Sequence, residues 1–112
     1  CVPCRIGTKR MSEMLTRITE GKGEEEDLRT LERLAGVMAS TSLCGLGRTA
    51  PNPFLTSFNH FKEEYLAHIR DRKCPAGVCT ALITFSVVDE KCKACGLCKR
   101  VCPVKAITMR AG

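Results

Sequence analysis

The sequence has no Trp, one Tyr and four Phe in 112 residues, so aromatic side chains make up only 4 % of the chain. A large core built around aromatic rings is therefore excluded, and a chain of this length gains only modest stability from burial alone. The longest apolar run, Thr80 to Val88, is too short to cross a bilayer, which takes about 20 residues. The chain opens with neither Met nor a secretory signal pattern, and we expect it to be a piece of a longer protein.

Cysteine is the residue type in excess, with nine copies. A secreted disulfide scaffold usually has an even number, so this count argues against one. The spacing near the C-terminal end is more specific. It is C-x2-C-x2-C-x3-C-P, the bacterial ferredoxin pattern, formed by Cys92, Cys95, Cys98, Cys102 and Pro103. We therefore predict a [4Fe–4S] cluster here, rather than zinc or a disulfide.

The fourth cysteine of this run has two alternative roles. In two-cluster ferredoxins the last Cys of each run ligates the other cluster. Cys102 therefore either completes its own cluster or ligates a second one, whose remaining ligands would lie beyond Gly112. The second alternative is favoured, so the module is expected to hold one or two clusters.

A further pair, Cys74 and Cys79, encloses a Pro–Gly turn that can bring both thiols to one side. Two buried structural thiols, a zinc site and a redox disulfide remain open as interpretations. If a metal binds, His68 is the better third ligand, because helical geometry puts it beside the apolar stripe and His60 off it. The fourth ligand would then be water or a group outside the chain.

The N-terminal pair, Cys1 and Cys4, is a C-x2-C motif that redox dithiols, zinc knuckles and cluster sites all use. Cys44 lies alone in a Gly-flanked loop, where a cysteine is often simply a small apolar residue. These three residues carry little information by themselves.

Apolar residues at helical spacing predict three helices, over 5–20, from 24 to the loop at 41–53, and from 53 to about 71. A short fourth helix is considered near 74–82. The β-branched run at 82–88 predicts a strand, with Ile107 and Met109 as its partner. The positions expected to form the core include Ile6, Met11, Ile18, Leu28, Leu31, Ala35, Met38, Phe54, Phe58 and Phe61.

These elements predict a mainly α fold. A small helical bundle carrying an iron–sulfur site occupies residues 1–72, and a Cys-x4-Cys linker occupies 73–81. Half of a ferredoxin-like α+β [4Fe–4S] module follows at 82–112.

Two stretches together resemble one family: Cys1-Val-Pro-Cys4-Arg5, and Ser42-Leu-Cys44-Gly-Leu-Gly some forty residues later. They are similar to the C-terminal part of the flavoprotein subunit of NADH dehydrogenase. In that family a helical bundle holds a [4Fe–4S] cluster through a Cys-x2-Cys-x2-Cys motif and one distant Cys. The resemblance implies that Cys1 and Cys4 are the last two cysteines of the motif and Cys44 is the distant ligand. The appended ferredoxin run is similar to the β-subunits of NAD-linked, often electron-bifurcating [FeFe]-hydrogenases, where a zinc site near the bundle is also expected.

This resemblance implies an electron-relay function. In the family NADH gives a hydride to FMN and electrons then pass to iron–sulfur clusters, but the FMN and NAD sites lie upstream of this chain. Whether the chain is itself an enzyme is therefore open. The implied partners are a thioredoxin-like [2Fe–2S] subunit and a hydrogenase catalytic subunit. Because oxygen-labile clusters need a reducing interior, we expect the parent protein in the cytoplasm. A zinc-stabilised interaction module and a free-standing ferredoxin-like carrier are the alternatives.

Basic residues exceed acidic ones by 18 to 12, giving a net charge of +6. Nucleic acid is not the expected partner, because aromatic residues do not alternate with the basic ones. We expect the cations around the cluster motif to offset its negative charge and to attract an acidic partner protein, with a merely solvated face as the alternative. They are Arg70, Arg72, Lys73, Lys91, Lys93, Lys99, Arg100, Lys105 and Arg110.

Overall fold

The computed structural model describes residues 1–108, and its ordered elements are helical. The α-helices are α1 (Val2–Thr19), α2 (Glu25–Thr41), α3 (Gly45–Thr49), α4 (Asn52–His60), α5 (Lys62–Leu66) and α6 (Leu97–Val101). A π-helix (Ala67–Asp71) continues directly from α5, and Thr80–Leu82 and Asp89–Lys91 form 3-10 turns. The expectation of a mainly α fold is confirmed. None of the helices among residues 1–108 is both long and apolar enough to pass through a membrane.

The first two helices pack against each other and carry most of the core. Gly21, at a φ of 73°, turns the chain between them, a conformation that glycine adopts without strain. The second helix begins where the Glu24 backbone N–H donates to the Asp27 carboxylate at 2.9 Å. Leu31, Ala35 and Met38 are completely buried, as their spacing predicted. The other core positions named above are also buried, except two.

Those two positions, Ile6 and Phe61, were predicted wrongly. Ile6 is 43 % exposed and Phe61 is 56 % exposed. Phe61 leaves the core because the predicted third helix is not continuous. The backbone of Phe61 departs from helical geometry, at φ −125° and ψ 33°, and separates α4 from α5.

The segment 41–53, predicted as a loop, contains the short helix α3. Its start is held by Cys44, whose Sγ accepts a hydrogen bond from the Gly47 backbone N–H at 3.5 Å. Sequence periodicity does not reveal this helix, because five residues make too few turns to show an apolar face.

The predicted strand at 82–88 is also wrong: among residues 1–108 the structure has no strand. The segment has no regular secondary structure after the turn that ends at Leu82, and Phe85 is 95 % exposed. A strand needs a hydrogen-bonded neighbour and a buried face, and this segment has neither in the described part of the chain. Met109, in the predicted partner strand, lies outside the described residues.

The predicted short fourth helix at 74–82 is reduced to the 3-10 turn Thr80–Leu82. Leu82 is buried, and a Cβ placed on Gly21 would lie 2.7 Å from Leu82 Cδ2. The turn therefore fastens the C-terminal segment to the loop between α1 and α2. Beyond it, the chain extends away, and the long dimension of the molecule reaches 65 Å.

Replacing Leu31 with Ala is expected to lower the free energy of unfolding by about 2–5 kcal/mol, because the change opens a cavity in the completely buried α1–α2 interface. Chemical denaturation followed by circular dichroism measures the change. Leu46 is 80 % exposed and is the matched control, so Leu46→Ala should change stability by less than about 0.5 kcal/mol. Equal losses in the two variants would contradict this description of the core.

Candidate metal centres

Three cysteines lie at one end of the helical bundle. Cys1 is the N-cap of α1 and Cys4 lies in its first turn, three residues on and therefore on the same helix face. Cys44 is the N-cap of α3, and α1 and α3 are in contact. The positive end of the α1 dipole lies among these thiols and favours negative charge there.

Gly47 lies between Cys4 of α1 and Cys44 of α3. Its backbone N–H donates to Cys44 Sγ, and a Cβ placed on it would lie 3.2 Å from Cys4 Cβ. A side chain at this position would collide with Ser42, whose Cβ would be 2.8 Å away, and would press on the thiol-bearing turn of α1. Cys1 is exposed, Cys4 is half-buried and Cys44 is exposed, so a bound group would be reachable from outside the bundle.

The ferredoxin run forms a second site. Cys92, Cys95 and Cys98 line one cavity of about 670 Å³. Gly96, at a φ of 69°, makes the turn between the second and third cysteines and also precedes α6. Cys102 is not among the residues lining this cavity, and its Sγ accepts a hydrogen bond from the Ala106 backbone N–H at 3.4 Å.

The third site brings together the residues of the predicted zinc centre. One ligand atom each from His68, Cys74 and Cys79 lie within 4.8 Å of one another. His68 Nε2 is 3.4 Å from Cys79 Sγ. The other ring nitrogen, Nδ1, donates to the Glu64 carbonyl at 2.6 Å, which leaves Nε2 free to accept a proton or bind a metal.

The two thiols of this site differ in pKa. Backbone N–H groups of Cys79 and Val78 donate to Cys74 and lower the pKa of its thiol to about 6. Burial, together with the neighbouring Cys74, raises the pKa of the Cys79 thiol. At neutral pH the pair therefore carries one thiolate, which is the form that binds metal.

The backbone explains why the histidine reaches these thiols. Ala67–Asp71 is a π-helix, which ends at Arg72 in the left-handed region, at a φ of 49°. An Arg70–Glu25 ion pair of 2.7 Å ties this segment to the start of α2. His60, by contrast, is exposed and stacks edge-on against Phe61.

The spacing of the ligand atoms indicates which kind of metal group each site fits. Among residues 1–108, the His68, Cys74 and Cys79 group has its ligand atoms near enough together for a single ion. Cys92, Cys95 and Cys98 of the ferredoxin run instead line a cavity of about 670 Å³, as ligands to separate corners of a multi-atom cluster do. The donor sets therefore fit zinc at His68, Cys74 and Cys79 and a cluster at the ferredoxin run.

One further residue at the thiol end of the bundle was not found by sequence reasoning. Ser42 is 1 % exposed, and within the described chain its hydroxyl has no hydrogen-bond partner. Leaving a buried hydroxyl unpaired costs about 1–3 kcal/mol. In the sequence, Ser42 opens the stretch Ser42-Leu-Cys44-Gly-Leu-Gly, but nothing there indicates that its hydroxyl is buried and unpaired.

Cysteine sites of this kind on a helical bundle, followed by a ferredoxin run, define an iron–sulfur-binding segment. Residues 1–68 match the family described as the NADH-ubiquinone oxidoreductase-F iron-sulfur binding region, and the chain belongs to this family. Residues 85–108 match a 4Fe-4S binding domain. The family resemblance, the bundle-plus-module fold class and the iron–sulfur electron-transfer assignment are thereby confirmed.

Similar proteins support this family assignment. The chain is 55 % identical over 108 residues, 96 % of its length, to the NADP-reducing hydrogenase subunit HndC of Solidesulfovibrio fructosivorans, of which it covers 22 %. It is 34 % identical over 80 % of its length to an NADH-quinone oxidoreductase subunit of Mycobacterium tuberculosis, covering 20 % of that protein. It is 36 % identical over 70 % of its length to the NADPH-Fe(3+) oxidoreductase subunit beta of Geobacter sulfurreducens, covering 12 %. The chain thus spans about a fifth or less of these relatives.

Proposed function

We propose that this chain is the electron-relay part of a subunit that oxidises or reduces a nicotinamide cofactor through FMN. The observation that carries the proposal is the pair of cysteine sites, one at the end of the bundle and one lining the C-terminal cavity. [4Fe–4S] clusters supply one-electron carriers when bound, and the chain's own residues would hold them and set their surroundings.

In this proposal Cys1, Cys4 and Cys44 hold the bundle cluster, and the fourth ligand comes from outside the chain. Cys92, Cys95 and Cys98 hold the cluster of the ferredoxin-like module. The position of Cys102 outside their cavity supports its use as a ligand to a second cluster in the module.

A zinc ion at His68, Cys74 and Cys79 completes the proposed cofactors. The short spacing of the three ligand atoms and the hydrogen bond that orients His68 support it. Three protein ligands leave a fourth position for water or for a group of the parent protein. FMN and NAD belong to the parent only.

The proposed partners are other subunits of a cytoplasmic oxidoreductase, among them a thioredoxin-like [2Fe–2S] subunit and a hydrogenase catalytic subunit. The hydrogenase name of one relative, HndC, supports the second. Five exposed cations near the ferredoxin run support an acidic partner at that end: Lys91, Lys93, Lys99, Arg100 and Lys105.

The test is iron and acid-labile sulfide analysis of the complete parent protein purified without air, with spectra before and after reduction. We expect iron and sulfide in equal amounts, visible charge-transfer absorption that bleaches on reduction, and an EPR signal in the reduced protein. Zinc without iron would overturn the proposal and favour a zinc-stabilised interaction module. A gene whose start falls near Cys1 would favour a free-standing carrier.

A further inference from the structure

We infer that Ser42 is a positioning residue for the bundle cluster, and that its hydroxyl donates a hydrogen bond to a sulfur of the group held by Cys4 and Cys44. The inference rests on the proposed function and adds a residue that is not one of the cysteine ligands. Its basis is a hydroxyl that is buried, unpaired within residues 1–108 and located at the thiol end of the bundle.

The backbone of Ser42 is held from both sides. Its N–H donates to the Met38 carbonyl at 3.1 Å, which ends α2. Its carbonyl accepts from Arg48 Nε at 3.0 Å. The main-chain groups of Ser42 are therefore satisfied, and the hydroxyl alone lacks a partner.

The hydroxyl lies on the side of the cysteines. A Cβ placed on Gly47 would lie 2.8 Å from Ser42 Cβ, 3.0 Å from Ser42 Oγ and 3.2 Å from Cys4 Cβ, so Ser42 and Cys4 both pack against Gly47. Gly47 also donates its N–H to Cys44 Sγ. Gly47 therefore packs between Ser42 and the residues that bear the two thiols, and the lack of a side chain at Gly47 permits this close approach.

A sulfur acceptor gives the buried hydroxyl a hydrogen-bond partner. The same hydrogen bond shifts the reduction potential of the cluster in a defined direction. The reduced cluster carries one more negative charge than the oxidised one and accepts the stronger hydrogen bond. Hydrogen bonds to the sulfurs therefore raise the reduction potential. Ser42 keeps its proton throughout and only stabilises the added electron.

The experiment uses the complete parent protein, prepared without air, with the reduction potential read from EPR-monitored titration. A Cys44→Ala variant identifies which signal belongs to the bundle cluster. We expect Ser42→Ala to shift the one-electron equilibrium of that cluster about tenfold towards the oxidised form, which is about 59 mV more negative. Ser42→Thr, which keeps the hydroxyl, is expected to restore the wild-type potential.

Ser40→Ala is the matched control, because the Ser40 hydroxyl donates to the Gly36 carbonyl of its own helix. An unchanged potential in Ser42→Ala, or an equal shift in Ser40→Ala, would overturn the inference. If Ser42→Ala fails to retain iron, Ser42→Thr decides: a loaded cluster at wild-type potential supports the hydroxyl bond, and a lost or shifted cluster refutes it. A wild-type parent with no signal sensitive to Cys44→Ala would refute the proposed function itself.

Discussion

Replacing Cys95 with Ala in the complete parent protein is expected to remove the [4Fe–4S] cluster held by the C-terminal cavity. Cys95 is the middle of the three cysteines that line the cavity, and Ala supplies no atom that can bind iron. The described residues around the cavity are mostly exposed and form no buried core, so only the Cys92 and Cys98 thiols would be left there to hold the cluster. Iron and sulfide analysis together with EPR should show the loss of that cluster and retention of the bundle cluster.

Cys102→Ala is the matched control, since it removes another cysteine of the same run. Cys102 does not line the cavity, so this variant is expected to keep the cluster that Cys95→Ala loses. The cluster that it affects should instead be a second one in the module. Loss of the same EPR signal in both variants would show that Cys102 completes its own cluster.

The sequence predicted the parts of this protein that depend on regular spacing. Helical periodicity found the α1–α2 core, because Leu31, Ala35 and Met38 share one helix face. Motif spacing found the ferredoxin run, because thiols two residues apart can surround one cluster. Helical geometry also favoured His68 over His60, and the structure places His68 Nε2 3.4 Å from Cys79 Sγ.

The features that sequence reasoning missed depend on local departures from regular geometry. The break at Phe61 and the π-helix at Ala67–Asp71 interrupt the regular α-helix that a continuous apolar stripe predicts. The strand at 82–88 failed because strand propensity requires a partner, and none pairs with it in residues 1–108. Ser42 was missed because burial and missing hydrogen bonds are properties of the folded chain.

The third site connects the two parts of the chain. His68 belongs to the π-helix of the bundle, whereas Cys79 directly precedes the turn Thr80–Leu82, which fastens the C-terminal segment to Gly21. A metal ion held by both therefore links the bundle to the ferredoxin-like module. The proposed zinc therefore has a structural role. Its removal should destabilise the segment where the module leaves the bundle.

Cys79→Ala is accordingly expected to lower zinc affinity at least about 100-fold, because losing even an outer hydrogen-bond partner of a ligand costs about 10–100-fold. Competition with a chromophoric chelator measures the affinity, and hydrogen exchange should increase at residues 74–82 while the Leu31 region stays protected. His68→Ala should weaken zinc in the same way. His60→Ala is the matched control, since His60 is exposed and apart from the thiols, and it should bind zinc as the wild type does. Wild-type zinc affinity in His68→Ala would show that His68 is not a ligand. The proposed link between bundle and module through zinc would then be wrong.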